Sequence, residues 1–231
     1  MVPPSDAFGS FLWNIGYALC HQISDRSFQI GGLQLPVCAR DTGTYLGFMA
    51  AFILFIGLAR YRRRKLPDRA IIAVAAFGMA LYAFDAFSSY LGFRNTTNEI
   101  RLLSGLAFGS GISMLLFSAA TNVLFKEGIA PSQRTFTYRD LPILYLLIGF
   151  LLIPLIIDGG VTFYYIEATL IIAGLVLMIF LILLILVVAL TGWEFEKSPE
   201  RLRSIAAASI LETAMLIVLW SAHHFASVAF L

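Results

Sequence analysis

The segment LIIAGLVLMIFLILLILVVAL, residues 170–190, contains no charged side chain and decides the class of this fold. A stretch of about 20 apolar residues is what an α-helix needs to cross the ~30 Å hydrocarbon core of a bilayer. The rest of the chain has the same character, since 59% of its 231 residues are hydrophobic and 13% are charged. Soluble domains carry roughly 25% charged residues. We therefore expect an integral membrane protein.

Six apolar runs follow the first 42 residues. A helix satisfies its own backbone hydrogen bonds in lipid, so each run predicts a transmembrane helix. The third run carries Gly105 and Gly109, a spacing that favours close packing against another helix. The expected fold is an all-α membrane protein, a single bundle of six transmembrane helices. The predicted spans are residues 43–60, 70–92, 100–125, 140–157, 167–192 and 204–230.

A shorter apolar piece, residues 7–19, precedes these runs. It is too short to span the bilayer. It contains Trp13 and Tyr17, side chains that favour the headgroup region. Ser5 and Asp6 stand before it as candidate helix caps. We expect a short interfacial or half-buried helix.

Three loops between the predicted spans carry most of the arginine and lysine. Residues 60–69 hold five arginines and one lysine, and residues 126–139 and 193–203 hold further basic residues. The positive-inside rule places these loops in the cytoplasm. The N-terminal segment and the C-terminus are then outside the cytoplasmic membrane of a prokaryote. These loops suit contact with membrane lipid headgroups and give no reason to expect nucleic acid as a partner.

This topology gathers several ionisable residues at the outer side. Asp85 lies seven residues before Gly92, roughly 10 Å below the outer end of the second span. A carboxylate at that depth is costly and needs a partner. Arg94 and Arg101 are the nearest candidates. Asp85 and its arginine partner are either part of a site or a buried salt bridge that holds the second and third helices together.

The residues before the first span include ligand types of a zinc site. Cys20, His21, Cys38 and Asp41 offer two thiolates, an imidazole and a carboxylate. The spacing of Cys38 and Asp41 lets both side chains of one turn point at one ion. Because Cys20 and His21 are adjacent, one of them is expected to be a ligand and the other a neighbouring group. We predict a site for zinc or another transition metal.

Two other interpretations of the cysteines stay open. The outer location permits a disulfide between Cys20 and Cys38, worth roughly 3 kcal/mol in the chain-entropy model. Alternatively, both thiols are small buried side chains and His21 is a polar group with an ordinary hydrogen bond.

Two blocks of residues resemble a family of polytopic membrane proteins of unknown function, found in bacteria and archaea. The first block is Cys20-His21, Arg26-Ser27-Phe28, Gly32, Pro36, Cys38-Ala39-Arg40, Thr42-Gly43, Tyr45 and Gly47-Phe48. The second block is Asp85, Gly92, Arg94, Thr97, Asn98, Arg101, Ser104 and Gly105. The resemblance covers about residues 15–110 and brings no established activity with it.

The resemblance implies that the two blocks act together, which extends the candidate site to further polar residues. These are Arg26, Arg40, Asp85, Arg94, Asn98 and Arg101. The family motif has cysteine where this chain has Asp41, which argues against a Cys-x-x-Cys redox function. A metal site with mixed ligands remains open, and so does a lost site.

The chain is thus expected to be one integral membrane domain, residues 1–231. Residues 1–42 form the motif segment, 43–125 the first three spans with the candidate site, and 126–231 the scaffold. It lacks the sequence motifs of known catalytic templates, so the question of enzyme activity stays open.

Three functions are consistent with these features. The first is a metal-binding protein that acts on a lipid head group or handles the metal. The second is a non-enzymatic accessory subunit of a larger membrane complex, with other membrane protein subunits as partners. In it the Cys/His motif is structural or disulfide-bonded. The third is a transporter that uses Asp85 and Glu212 as relay groups.

Overall fold

Helices make up most of the computed structural model, which describes residues 4–124, 130–157 and 159–229. The α-helices are α1 (Ala7–Tyr17), α2 (Ala39–Gly57), α3 (Arg69–Tyr90), α4 (Asn98–Leu124), α5 (Leu141–Leu151), α6 (Ile153–Ile156), α7 (Gly160–Thr191) and α8 (Ser198–Ala229). Short 3₁₀ turns span Ser24–Arg26, Arg60–Arg62 and Tyr138–Asp140. The strands are β1 (Gln29–Ile30), β2 (Leu33–Gln34), β3 (Arg63–Lys65) and β4 (Ala130–Arg134), paired β1 with β2 antiparallel and β3 with β4 parallel.

Four helices of the described chain are long and apolar enough to cross a membrane: α3, α4, α7 and α8. The prediction of an all-α membrane protein is therefore confirmed. The count of six spans is not. Residues 42–57 of α2 are uncharged and rise about 24 Å, less than the ~30 Å core. The run at 140–157 is broken after Leu151, and Pro154 follows in the first turn of α6.

The centre of the bundle is α2, which contacts α4, α5 and α7. Every residue from Thr42 to Ala51 is buried. Its closest neighbour is α4, through the predicted small-residue face. A Cβ added at Gly105 would collide with the carbonyl oxygen of Arg40, and one added at Gly109 would collide with that of Thr44. The two backbones therefore touch along this line, which positions the start of α2 against α3 and α4.

The N-terminal helix α1 begins as predicted. The side chain of Asp6 caps it by accepting a hydrogen bond from the backbone N–H of Gly9 at 2.9 Å. Its C-terminal end lies against α8, where Tyr17 contacts the rings of Trp220 and His223. This contact places the C-terminal part of α8 at the same end of the bundle as the cysteines.

The opposite end of the bundle holds the arginine-rich segment that follows α2. There Arg60 and Asp140 form a buried ion pair. Strands β3 and β4 join the segment after α2 to the segment before α5. Among the predicted inner-loop cations, Lys126 lies outside the described residues.

Candidate functional site

Three of the four predicted metal ligands lie together. The Sγ atoms of Cys20 and Cys38 and a carboxylate oxygen of Asp41 are all within 4.8 Å of one another. The backbone N–H of Cys38 donates to Cys20 Sγ at 3.1 Å. The Cys38 thiol donates to Asp41 Oδ2 at 3.2 Å. We call these three residues the Cys–Cys–Asp cluster, and both of its cysteines are free thiols.

The start of α2 explains the positions of two of the three cluster residues. Cys38 is the N-cap residue of α2 and has an extended backbone, while Asp41 stands in the first turn. Residues three apart lie on the same face of a helix. The helix dipole also favours a carboxylate in the first turn. The pair Cys38 and Asp41 is therefore a local feature that sequence spacing predicts.

A glutamine brings Cys20 to this pair, and sequence reasoning missed it. Gln22 has a positive φ of 52°, uncommon for a residue with a side chain. Its amide nitrogen donates to the carbonyl oxygens of Trp13, at 2.9 Å, and Pro36, at 2.8 Å. The backbone carbonyl oxygen of Gln22 accepts a hydrogen bond from the side-chain amide of Gln34 at 2.7 Å. These bonds tie the end of α1 to the segment before α2. No recognised motif marks this role.

The surroundings of Cys20 and Asp41 shift the pKa values of both side chains upward. The hydrogen bond with Cys38, together with burial, raises the pKa of the Cys20 thiol. Burial also raises the pKa of the Asp41 carboxyl, although hydrogen bonds from Cys38 and Cys20 oppose this shift. A metal ion binds thiolate and carboxylate groups, so its binding has to release the protons of the cysteine thiols.

The fourth predicted ligand, His21, lies outside this group. Its side chain is exposed, and its ring lies edge-on to the ring of His223 at 4.2 Å between centroids. Nδ1 of His223 lies 2.7 Å from the carbonyl oxygen of Tyr17. The structure thus brings together three candidate ligands, and His21 lines the same cavity as they do.

The cluster forms one wall of an open cavity of about 200 Å³. Three arginines predicted as site residues also line it: Arg26, Arg40 and Arg101. Tyr82 of α3 forms another part of the wall. The cavity therefore places positive charge next to potential metal ligands.

Below the cavity, Asp85 is buried among cationic side chains and is only 2% exposed. Arg40 donates to its Oδ2 through Nε at 3.0 Å and Nη2 at 2.6 Å. Arg94 donates to Oδ1 at 2.7 Å, and the hydroxyl of Ser104 donates to Oδ2 at 3.2 Å. The sequence pointed to Arg94 and Arg101 as partners. Arg94 is one, but the second is Arg40, which lies 45 residues away.

Arg101 has a different environment. It is 9% exposed, and its Nη1 donates to Asn98 Oδ1 at 3.0 Å. Asn98 in turn donates to the carbonyl oxygen of Asp25 at 3.3 Å. Within the described part of the chain, no carboxylate forms an ion pair with Arg101. Its charge, beside that of Arg26, makes the cavity suited to an anion.

The fold and this site define a class of helical membrane protein whose candidate site residues all lie in the first half of the chain. The chain belongs to the family described as "Predicted membrane protein (DUF2085)", which matches residues 20–115. That segment contains the Cys–Cys–Asp cluster, Asp85 with its hydrogen-bond partners, and Arg101.

Two archaeal relatives support this membership. An uncharacterized protein of Methanocaldococcus jannaschii is 27% identical over 116 residues, which is 50% of this chain and 72% of the relative. An uncharacterized protein of Methanothermobacter thermautotrophicus is 30% identical over 98 residues, 42% of this chain and 83% of the relative. No solved structure matches the chain significantly.

Proposed function

We propose that this membrane protein binds a transition metal ion, zinc being the expected one, through Cys20, Cys38 and Asp41. The observation that carries the proposal is the meeting of three ligand atoms within 4.8 Å at the wall of an arginine-lined cavity. Thiolate and carboxylate are established zinc ligands. Three protein ligands next to open space correspond to a site that keeps a coordination position for another molecule.

The adjacent cavity supports a phosphate-bearing lipid head group as that molecule. Arg101 and Arg26 supply positive charge that no ion pair in the described structure neutralises. Guanidinium groups bind phosphate oxygens through paired hydrogen bonds. A bound metal would supply Lewis-acid polarisation of an oxygen of the ligand. Arg40 is held by Asp85, so its role is to position the start of α2.

The proposal includes an orientation. The end of the bundle that carries the Cys–Cys–Asp cluster lies on the outer side of the cytoplasmic membrane. The basic residues of Arg60–Arg62 and Arg63–Lys65 are at the other end of α2, and the positive-inside rule places them in the cytoplasm. This arrangement has six spans. Four are α3, α4, α7 and α8. The other two are α2, which is enclosed by other helices, and the α5–α6 segment.

Metal analysis of the purified full-length protein tests the proposal. We expect about one equivalent of metal per chain, lost in both Cys20→Ser and Asp41→Ala. Asp25→Asn, an exposed acid in the same outer segment, is the matched control and should retain metal. His21→Ala shows whether the histidine becomes a fourth ligand on binding.

Metal-free wild-type protein with a Cys20–Cys38 disulfide in non-reducing mass spectrometry would overturn the metal site. Stable partner subunits that co-purify with such protein would then favour the accessory-subunit function. Retention of metal by the Cys20→Ser variant would show that the ion sits elsewhere.

A further inference from the structure

A second charged cavity lies at the end of the bundle opposite to the Cys–Cys–Asp cluster. It encloses about 480 Å³ between the segment that follows α2 and the segment that precedes α5. Four arginines and two aspartates line it, which leaves an excess of positive charge. These residues are Arg60, Arg63, Arg134, Arg139, Asp68 and Asp140.

The two carboxylates already serve the framework of this cavity. Asp140 forms the buried ion pair with Arg60 and accepts from the backbone N–H of Thr137 at 2.8 Å. Asp68 caps α3 at 3.1 Å and accepts from the backbone N–H of Tyr138 at 3.0 Å. These bonds connect the two segments, and within the described residues neither carboxylate forms an ion pair with Arg63, Arg134 or Arg139.

The remaining arginines are held by groups that carry no formal charge. Arg63 donates to the carbonyl oxygen of Arg134 at 3.4 Å, and Arg134 donates to that of Pro67 at 3.2 Å. Arg139 contacts the hydroxyl of the adjacent tyrosine at 3.4 Å. In the described part of the chain, none of these three has a carboxylate partner.

A buried donor also lacks a partner here. Arg60 is 8% exposed, and its Nε has no hydrogen-bond partner among the described residues. Such a group costs free energy unless something accepts its hydrogen bond. The general excess of basic residues on the inner side accounts for their number. It does not account for their arrangement around one cavity.

We propose that this cavity binds a phosphate group. Guanidinium groups offer a planar pair of donors that matches phosphate oxygens, and the charged residues lie on two segments that the ligand would hold together. The phosphate belongs either to the head group of an inner-leaflet lipid or to a soluble phosphate compound. This proposal is independent of the metal site, and only the choice of the inner leaflet rests on the orientation proposed above.

Two measurements on the full-length protein in detergent distinguish the sources. Inorganic phosphate is titrated by microscale thermophoresis. Native mass spectrometry counts the lipids retained from micelles that contain phosphatidylglycerol or phosphatidylcholine. The test variant is Arg134→Gln with Arg139→Gln. The matched control is Arg201→Gln with Arg203→Gln, two exposed arginines early in α8 at the same end of the bundle.

We expect the test variant to weaken binding by about tenfold or more, as the loss of charged hydrogen bonds implies, and the control to leave it unchanged. Loss of phosphate affinity indicates a soluble ligand. Selective loss of retained phosphatidylglycerol indicates a lipid.

Equal weakening in both double variants would reduce the effect to general surface charge and overturn the proposal. Failure of the wild-type protein to bind saturably either inorganic phosphate or phosphatidylglycerol would overturn it as well. If the double variant does not fold, Arg139→Gln alone is used, since the Arg139 side chain is exposed and its hydrogen bond and ring contact are with the adjacent Tyr138. It should still weaken the binding measurably, and unchanged binding would count against the proposal.

Discussion

Asp85→Asn removes the charge that holds Arg40 and Arg94 at the end of the bundle that carries the Cys–Cys–Asp cluster. The Arg40 side chain is 18% exposed and makes two hydrogen bonds to the buried carboxylate. Its pairing approaches the buried case, where loss of one partner costs about 3 kcal/mol. The Arg94 side chain is 38% exposed, so screening limits its contribution to about 0.5–1 kcal/mol. We expect a total destabilisation of about 3–4 kcal/mol.

Thermal unfolding of the full-length protein in detergent measures this effect. For a chain of this size, each kcal/mol lowers Tm by about 2–4 °C, so Asp85→Asn should lower it by roughly 6–16 °C. The matched control is Glu99→Gln, an exposed acid in the first turn of α4. It should change stability by no more than about 0.5 kcal/mol.

The arginine variants divide the loss between the two partners. Arg40→Gln should cost nearly as much as Asp85→Asn, and the double variant should cost little more than either alone, because one interaction is removed in each case. Arg94→Gln should cost about 1 kcal/mol or less. A Tm within about 2 °C of wild type for Asp85→Asn, or a larger loss from Arg94→Gln than from Arg40→Gln, would refute this reasoning.

Three further predictions follow from other parts of the bundle. Gly109→Ala should destabilise the protein by about 1–3 kcal/mol, because its Cβ meets the backbone of α2; Gly149→Ala, with open space around it, should not destabilise it in the same unfolding assay. Metal affinity should rise with pH, because a metal ion has to displace the thiol protons, and hydrogen bonding and burial raise the pKa of the Cys20 thiol. A zinc competition assay that shows equal affinity at acidic and neutral pH would contradict this. Val161→Cys should react with an impermeant thiol reagent on intact cells, and Arg201→Cys only after permeabilisation; the reverse pattern would invert the proposed topology.

Much of this fold could be predicted from local sequence. The uncharged segment 170–190 indicates a membrane helix by its length and composition alone, and the structure has α7 there. Asp6 caps its helix through an atom three residues away. Gly105 and Gly109 predict close helix packing because a missing Cβ leaves room for a backbone. Each of these depends on neighbours in the chain, which the sequence displays directly.

The number of spans was less predictable. Hydropathy alone does not separate a lipid-facing helix from one enclosed by other helices, and α2 is of the second kind. The run at 140–157 does not form one continuous helix, because α5 ends at Leu151 and α6 starts at Ile153, just before Pro154. Proline lacks the N–H that would continue the helical hydrogen bonds.

The sequence by itself determined that this is a helical membrane protein, and it placed Cys38 and Asp41 on one face of a helix start. Only the tertiary structure decided which distant residues join them. Cys20 reaches the cluster through the bonds of Gln22, and Arg40 pairs with Asp85 across 45 residues. His21 lies instead against His223, near the far end of the chain. Such pairings depend on how helices pack side by side, because a buried charge or thiol takes the partner that the packing brings within a few ångströms.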